Sequence, residues 1–122
     1  MNSYKDLEVY QQAFQLAEEL HYLSLKLPKH ELYELGSQVR RSAQGLRANI
    51  AEGYGRRNYK KDFIKFLTYA EASLLETESH IEMIISIYNI LGTKELLEKY
   101  NKLGKQLNTF IKYVEQNWKS KR

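Results

Sequence analysis

Hydrophobic residues recur every three or four positions along most of the chain, a spacing that predicts α-helices. A first helix is predicted over about residues 6–25. Pro28 ends it, because proline cannot continue a helix and restricts the residue before it. A second helix is predicted to begin near His30 and to stop where Gly53 and Gly55 break the pattern.

The third predicted helix has the most regular pattern in the chain. Its apolar positions step by four and three, as in a heptad seam, through Phe63, Leu67, Ala70, Leu74, Thr77, Ile81, Ile84, Tyr88 and Leu91. Asn58 is predicted to cap its start and Gly92 to end it. Thr93 then caps a fourth helix, whose apolar positions continue to Trp118. The hydrophobic pattern thus predicts four helices.

Short connections place consecutive helices antiparallel, so the fold class predicted is all-α, an up-down-up-down antiparallel four-helix bundle in a single domain over residues 1–122. The chain has no cysteine, which excludes disulfides, thiolate nucleophiles and cysteine-ligated metals. No long apolar run or hydrophobic signal region is present. We therefore expect a soluble, cytoplasmic protein without membrane contact.

Helix three carries more apolar residues than one bundle core needs. The additional positions are Ile64, Phe66, Leu75, Met83, Ile85 and Ile87. They indicate either self-association into a homo-oligomer, which we favour, or a broader core.

Catalytic and metal-binding chemistry has little support in the sequence. None of His21, His30 and His80 lies in a catalytic motif. Glu18 and His21 form a Glu-x-x-His pair, but the second copy that a di-iron bundle needs is missing. Glu76 and His80 are four residues apart, which differs from that pattern. We expect no enzyme activity, no metal and no cofactor.

A polar row follows one side of the second helix. It consists of Gln38, Ser42, Gly45, Asn49 and Glu52, with Arg41 on the same side. The row predicts either a ligand site or, as we favour, a structural hydrogen-bond network in which Gln38, Arg41, Asn49 and Glu52 fix the register of the bundle. Glu52 is expected to be a buried charge.

Charge is segregated along the chain, with a net +6 over residues 40–65 and +5 over residues 93–122. In an up-down bundle the turn after the second helix and the C-terminus lie at the same end. The N-terminus lies there too, so the basic groups and aromatic residues expected at this end are Lys5, Arg56, Arg57, Lys60, Lys61, Lys119, Lys121 and Arg122 with Tyr54, Tyr59 and Trp118. Little more than Asp6 and Asp62 opposes their charge. Cations with interleaved rings suit phosphates and stacked bases, so this end is predicted to bind RNA or DNA without sequence specificity. The alternative is charge that only provides solubility.

About half of the chain carries a family resemblance. The residues are Pro28, Glu31, Leu35, Gln38, Arg41, Ala43, the run Asn49-Ile50-Ala51-Glu52-Gly53, and Phe63, Leu67, Ala70, Ser73, Leu74 and Glu76. With them the chain resembles the four-helix-bundle proteins encoded by intervening sequences of bacterial 23S ribosomal RNA genes. It departs from the family pattern at Gly45-Leu46-Arg47 and at Ala72.

The resemblance implies an up-and-down bundle and a homopentameric ring or barrel, and it does not imply an enzyme. The family is also similar to accessory proteins of diversity-generating retroelements, which are basic pentamers that bind nucleic acid and a reverse transcriptase. We therefore expect a non-catalytic homo-oligomer that binds RNA or DNA. The alternative is an assembly protein whose protein partner contacts the apolar surface of helix three or its acidic residues Glu71, Glu76, Glu78 and Glu82.

Overall fold

Four α-helices make up the fold of residues 3–121, which the computed structural model describes. They are α1 (Glu8–Ser24), α2 (Leu35–Gly55), α3 (Lys60–Ile87) and α4 (Thr93–Asn117), with short 3-10 turns at Tyr4–Asp6 and Lys29–Glu31. Each helix packs against the next and α4 packs against α1. The described part of the chain contains no β-strand. This confirms the predicted antiparallel four-helix bundle.

The heptad seam of α3 forms the centre of the core. Phe63, Leu67, Ala70, Leu74, Thr77, Ile81 and Ile84 are all buried, as predicted. Tyr100 of α4 is also fully buried, and burial raises the pKa of its hydroxyl, with Glu19 adding to the effect. Leu91 is 89% exposed because α3 ends at Ile87 instead of continuing to Gly92.

The connection from α3 to α4 differs from its prediction. Gly92, with φ of 93°, is the residue before α4, in the left-handed conformation that glycine adopts easily. Thr93 does not cap the helix, because its hydroxyl donates backwards to the Ile90 carbonyl at 2.6 Å. Tyr88 donates its hydroxyl to the Glu31 carboxylate at 2.8 Å, a bond that raises the Tyr88 pKa. The side-chain hydroxyls of Tyr88 and Thr93 thus fix the connection between α3 and α4.

The start of α2 was predicted at His30 but lies at Leu35. The Arg40 guanidinium donates to the Leu32 carbonyl at 2.7 Å and to the Ser24 hydroxyl at 2.9 Å. A carbonyl in the segment after Pro28 is thus bonded by a side chain instead of by a helical amide. The 3-10 turn of Lys29–Glu31 occupies the predicted first turn of the helix.

Small residues of α2 allow it to lie close to α3. Thr77 donates to the Ser42 hydroxyl at 2.8 Å across the interface. A Cβ atom on Gly45 would lie 3.2 Å from Ser73 Oγ, and one on Gly53 would lie 3.2 Å from Phe66 Cβ. A side chain at Gly45 would need Ser73 to move by a few tenths of an ångström, whereas one at Gly53 would press on Phe66 Cβ and on the Phe63 carbonyl of α3.

The additional apolar residues of α3 divide into two groups. Ile64 and Ile85 are partly buried against the core, and Phe66 is partly buried as well. Leu75, Met83 and Ile87 are 61%, 51% and 54% exposed. The broader-core interpretation therefore explains the first group, and the second group remains on the surface of the single chain.

We predict that Gly53→Leu destabilises the fold by about 1–3 kcal/mol, because the new side chain separates α2 from α3. Gly55→Leu is the matched control, since a Cβ atom there meets no atom within 4 Å. Urea unfolding followed by circular dichroism measures both. Equal midpoints for the two variants would contradict the close packing.

Candidate nucleic-acid interface

The C-terminal segment, residues 118–121, lies against the turn that joins α2 to α3. The Trp118 indole N–H donates to the Arg57 carbonyl at 2.8 Å. The Lys121 amide donates to the Asn58 carbonyl at 3.1 Å. Two parts of the chain separated by about sixty residues thus form one surface, at the end where the sequence placed the basic residues. Arg122 lies outside the described residues.

The start of α3 is capped from this segment. Asn58 was predicted to be the cap, but Tyr59 precedes the helix and no side-chain cap comes from it. The Lys60 amide instead donates to the Ser120 hydroxyl at 2.9 Å. A hydroxyl from the other end of the chain therefore accepts a bond from one of the amides that a helix start leaves without an internal partner.

Arg56 is already paired within the chain. Its guanidinium lies 3.0 Å from the Glu52 carboxylate and 3.8 Å from that of Asp62. It also lies over the Phe66 ring, 4.7 Å from the centroid. The pairing of Arg56 with Glu52 was not predicted from the sequence, although the spacing of four residues on α2 was a usable signal. Arg56 is thus a weaker candidate for phosphate contact.

Arg57 and Lys60 bind backbone carbonyls. Arg57 donates to the Tyr54 carbonyl at 3.1 Å and lies over the Tyr54 ring, 4.2 Å from its centroid. The Lys60 ammonium donates to the Glu115 carbonyl in the last turns of α4. These two cations hold the turn to its neighbouring helices. Lys61, Lys119 and Lys121 are exposed at the same end of the bundle.

Of the two tyrosines predicted to stack on bases, one is buried. Tyr54 is only 4% exposed and packs edge-on against Phe63, so its prediction as a stacking platform is wrong. Helical periodicity already put Tyr54 four residues after the buried Ile50. Tyr59 is 47% exposed and directly precedes Lys60 in the chain.

The predicted buried polar network is not present within the described chain. Gln38, Arg41 and Glu52 are exposed and Asn49 is partly buried. Glu52 pairs with Arg56 on the surface, so its expected burial is wrong. The buried polar contact of α2 is Ser42, which accepts from Thr77 and donates to the Val39 carbonyl at 3.1 Å. At the two ends of the row, Gln38 and Glu52 are exposed to solvent.

The Glu76 and His80 side chains lie 3.6 Å apart on α3. Across residues 3–121, no group of three or more histidine, aspartate or glutamate side chains is arranged to hold a metal ion. No helix in that range is long and apolar enough to cross a membrane.

One family profile, described as 23S rRNA-intervening sequence protein, matches residues 5–109 of the chain. The chain belongs to this family. The match includes α1, α2 and α3 and stops within α4, so the segment that caps α3 lies beyond it. No curated protein matches the chain significantly.

We predict that Glu52→Gln and Arg41→Ala each change the free energy of unfolding by less than about 0.5 kcal/mol, as is usual for exposed side chains. Urea midpoints measured at low micromolar protein concentration check this. A loss above about 2 kcal/mol that grows with protein concentration would instead place these residues in an interface between copies.

Proposed function

We propose that this member of the 23S rRNA-intervening sequence family is a non-catalytic, cytoplasmic homo-oligomer that binds RNA or DNA without sequence specificity through its basic end. The observation that carries the proposal is the joining of the basic α2–α3 turn to the basic C-terminal segment. This contact concentrates exposed Lys61, Lys119 and Lys121 on one surface.

The chemistry of this surface suits a phosphate backbone. Each lysine that contacts a phosphate releases condensed counterions, which supplies affinity independent of sequence. The cations lie on the turn, in the first turn of α3 and on the C-terminal segment, so they offer no continuous helix face to read base edges in a groove. Tyr59, the residue before α3, is about half exposed and carries a ring of the kind on which an unpaired base can stack.

Self-association is supported by the exposed apolar residues of α3. Leu75, Met83 and Ile87 are each more than half exposed although they lie on the helix that forms the centre of the core. A homopentameric ring, as the family resemblance implies, covers such residues and repeats the basic end in every copy.

The second candidate is an assembly protein whose partner is another protein. It is favoured by the exposed Glu76 and Glu82, which lie on the same helix as exposed Leu75 and Met83. Desolvation, with a contribution from Glu82, raises the pKa of Glu78 in this acidic region. Glu71 differs from these residues because its carboxylate accepts a bond from Asn108 at 3.2 Å.

We predict that the triple variant Lys61→Glu, Lys119→Glu and Lys121→Glu abolishes binding to a random single-stranded RNA and to the same sequence as DNA. Affinity of the parent should fall with salt, with a log–log slope of about −0.7 per phosphate contact. Fluorescence anisotropy from about 50 mM salt upward measures this.

The matched control is Lys26→Glu, Lys29→Glu and Lys94→Glu, which makes the same change in net charge with exposed lysines at the other end of the bundle. It should retain most of the affinity. Equal losses of affinity in both triple variants would show that binding depends on net charge alone. If the parent protein binds neither RNA nor DNA, the nucleic-acid proposal fails and the protein-partner candidate replaces it.

We predict that the parent forms oligomers at micromolar concentration and that the pair Met83→Glu and Ile87→Glu dissociates them, because charges cannot be buried unpaired in an apolar interface. Multi-angle light scattering measures the mass. Leu91→Glu is the control, since Leu91 is exposed but lies outside α3. A parent mass of 14.5 kDa, that of one chain, would contradict self-association.

A further inference from the structure

The C-terminal segment does more than add two lysines to the basic end. We propose that residues 118–121 are a clasp that fixes the shape of the α2–α3 turn, and that Trp118 is a positioning residue through which the turn presents its cations to a nucleic-acid strand. The effect on binding rests on the proposed function. The clasp itself does not, because it is a set of contacts within the chain.

Trp118 anchors the clasp at two points. Its ring packs edge-on against Phe63, with centroids 5.1 Å apart, and Phe63 is fully buried. Its indole N–H reaches the Arg57 carbonyl at 2.8 Å. The backbone between two of the predicted phosphate-binding residues, Arg57 and Lys60, is therefore tied to the core through one side chain.

Two backbone carbonyls of the turn bond to the clasp. Within the turn, the amides of Arg57 and Tyr59 donate to the carbonyls of Tyr54 and Arg56, at 3.1 Å and 2.9 Å. The carbonyls of Arg57 and Asn58 accept instead from Trp118 and Lys121. Backbone groups that cannot bond locally need another partner or water. The clasp supplies these partners, so the turn keeps one conformation.

The clasp also accepts a hydrogen bond from the first amide of α3. Lys60 donates its amide to Ser120, so the hydroxyl that starts α3 comes from the clasp. Lys119 lies between the anchored Trp118 and Ser120, and Lys121 is itself bonded through its amide to Asn58. The backbone that carries Lys119 and Lys121 is thereby held at a fixed distance from the backbone that carries Lys60 and Lys61. A rigid arrangement binds a strand with less loss of conformational entropy than a mobile one.

Positioning and direct contact have different salt dependences. A residue that contacts a phosphate contributes to the slope of log affinity against log salt. A residue that only positions the contacts changes the affinity and leaves that slope unchanged. Salt titration therefore separates the role of Trp118 from those of Lys119 and Lys121.

The test uses Trp118→Phe, which keeps an aromatic ring against Phe63 and removes the N–H that reaches Arg57. The probe is a 5′-labelled oligouridylate of about 20 nucleotides, and every variant is measured at a temperature at which circular dichroism shows it folded. We expect binding about threefold to tenfold weaker than the parent, the usual range for one hydrogen bond, with the same salt slope. The amides of Tyr59 and Lys60 should exchange hydrogen faster.

Two further variants complete the design. Lys119→Gln with Lys121→Gln should reduce the magnitude of the slope by about 1.4, at about 0.7 per contact, and leave amide exchange in the turn unchanged. Ser120→Ala should accelerate exchange of the Lys60 amide alone, because it removes only the acceptor of that amide.

The outcomes separate the two proposals. Trp118→Phe with parental affinity and parental exchange overturns the clasp, and a reduced salt slope in that variant overturns its positioning role. A parent chain that binds no strand overturns the proposed function together with that role. In that case the exchange rates of Tyr59 and Lys60 still decide whether the clasp exists.

Discussion

The close packing of α2 against α3 is the contact on which the basic end depends. Gly53 lets the last turns of α2 lie against Phe66 of α3. A Cβ atom added at Gly53 would lie only 3.2 Å from the Phe66 Cβ. Because the two helices already touch where α2 ends, only residues 56–59 are needed to connect them. A connection this short cannot bond all its own carbonyls, and two of them accept from the C-terminal segment. The close helix contact therefore shortens the turn, and the C-terminal segment supplies the hydrogen-bond donors for these two carbonyls.

The same geometry explains why cations are tolerated at the start of α3. A helix N-terminus repels positive charge, whereas a C-terminus attracts it. In this bundle α4 ends beside the start of α3, and the Lys60 ammonium donates to the Glu115 carbonyl near that C-terminus. Arg57 likewise binds a carbonyl of α2. Part of the basic charge therefore stabilises helix ends, and the exposed lysines make up the part that faces solvent.

Sequence periodicity predicted the four helices and the buried seam of α3, because burial of one helix face imposes a spacing that can be read directly. It missed the contacts that come from distant parts of the chain. Asn58 has the residue type of a cap, but Ser120 supplies the hydroxyl, and only the folded chain brings them together. Glu52 was predicted to be buried because it continues a polar row, although Arg56 four residues later was the nearer partner.

The proposed oligomer interface and the basic end lie near opposite ends of α3. Met83 and Ile87 are in the last turns of α3, whereas the clasp covers its first residue. α3 has 28 residues, which corresponds to about 42 Å at about 1.5 Å per residue, so an interface around Ile87 leaves the basic end open. In a cyclic ring all copies point the same way. One strand can then contact several copies, and the few exposed lysines of each act together through their high effective concentration.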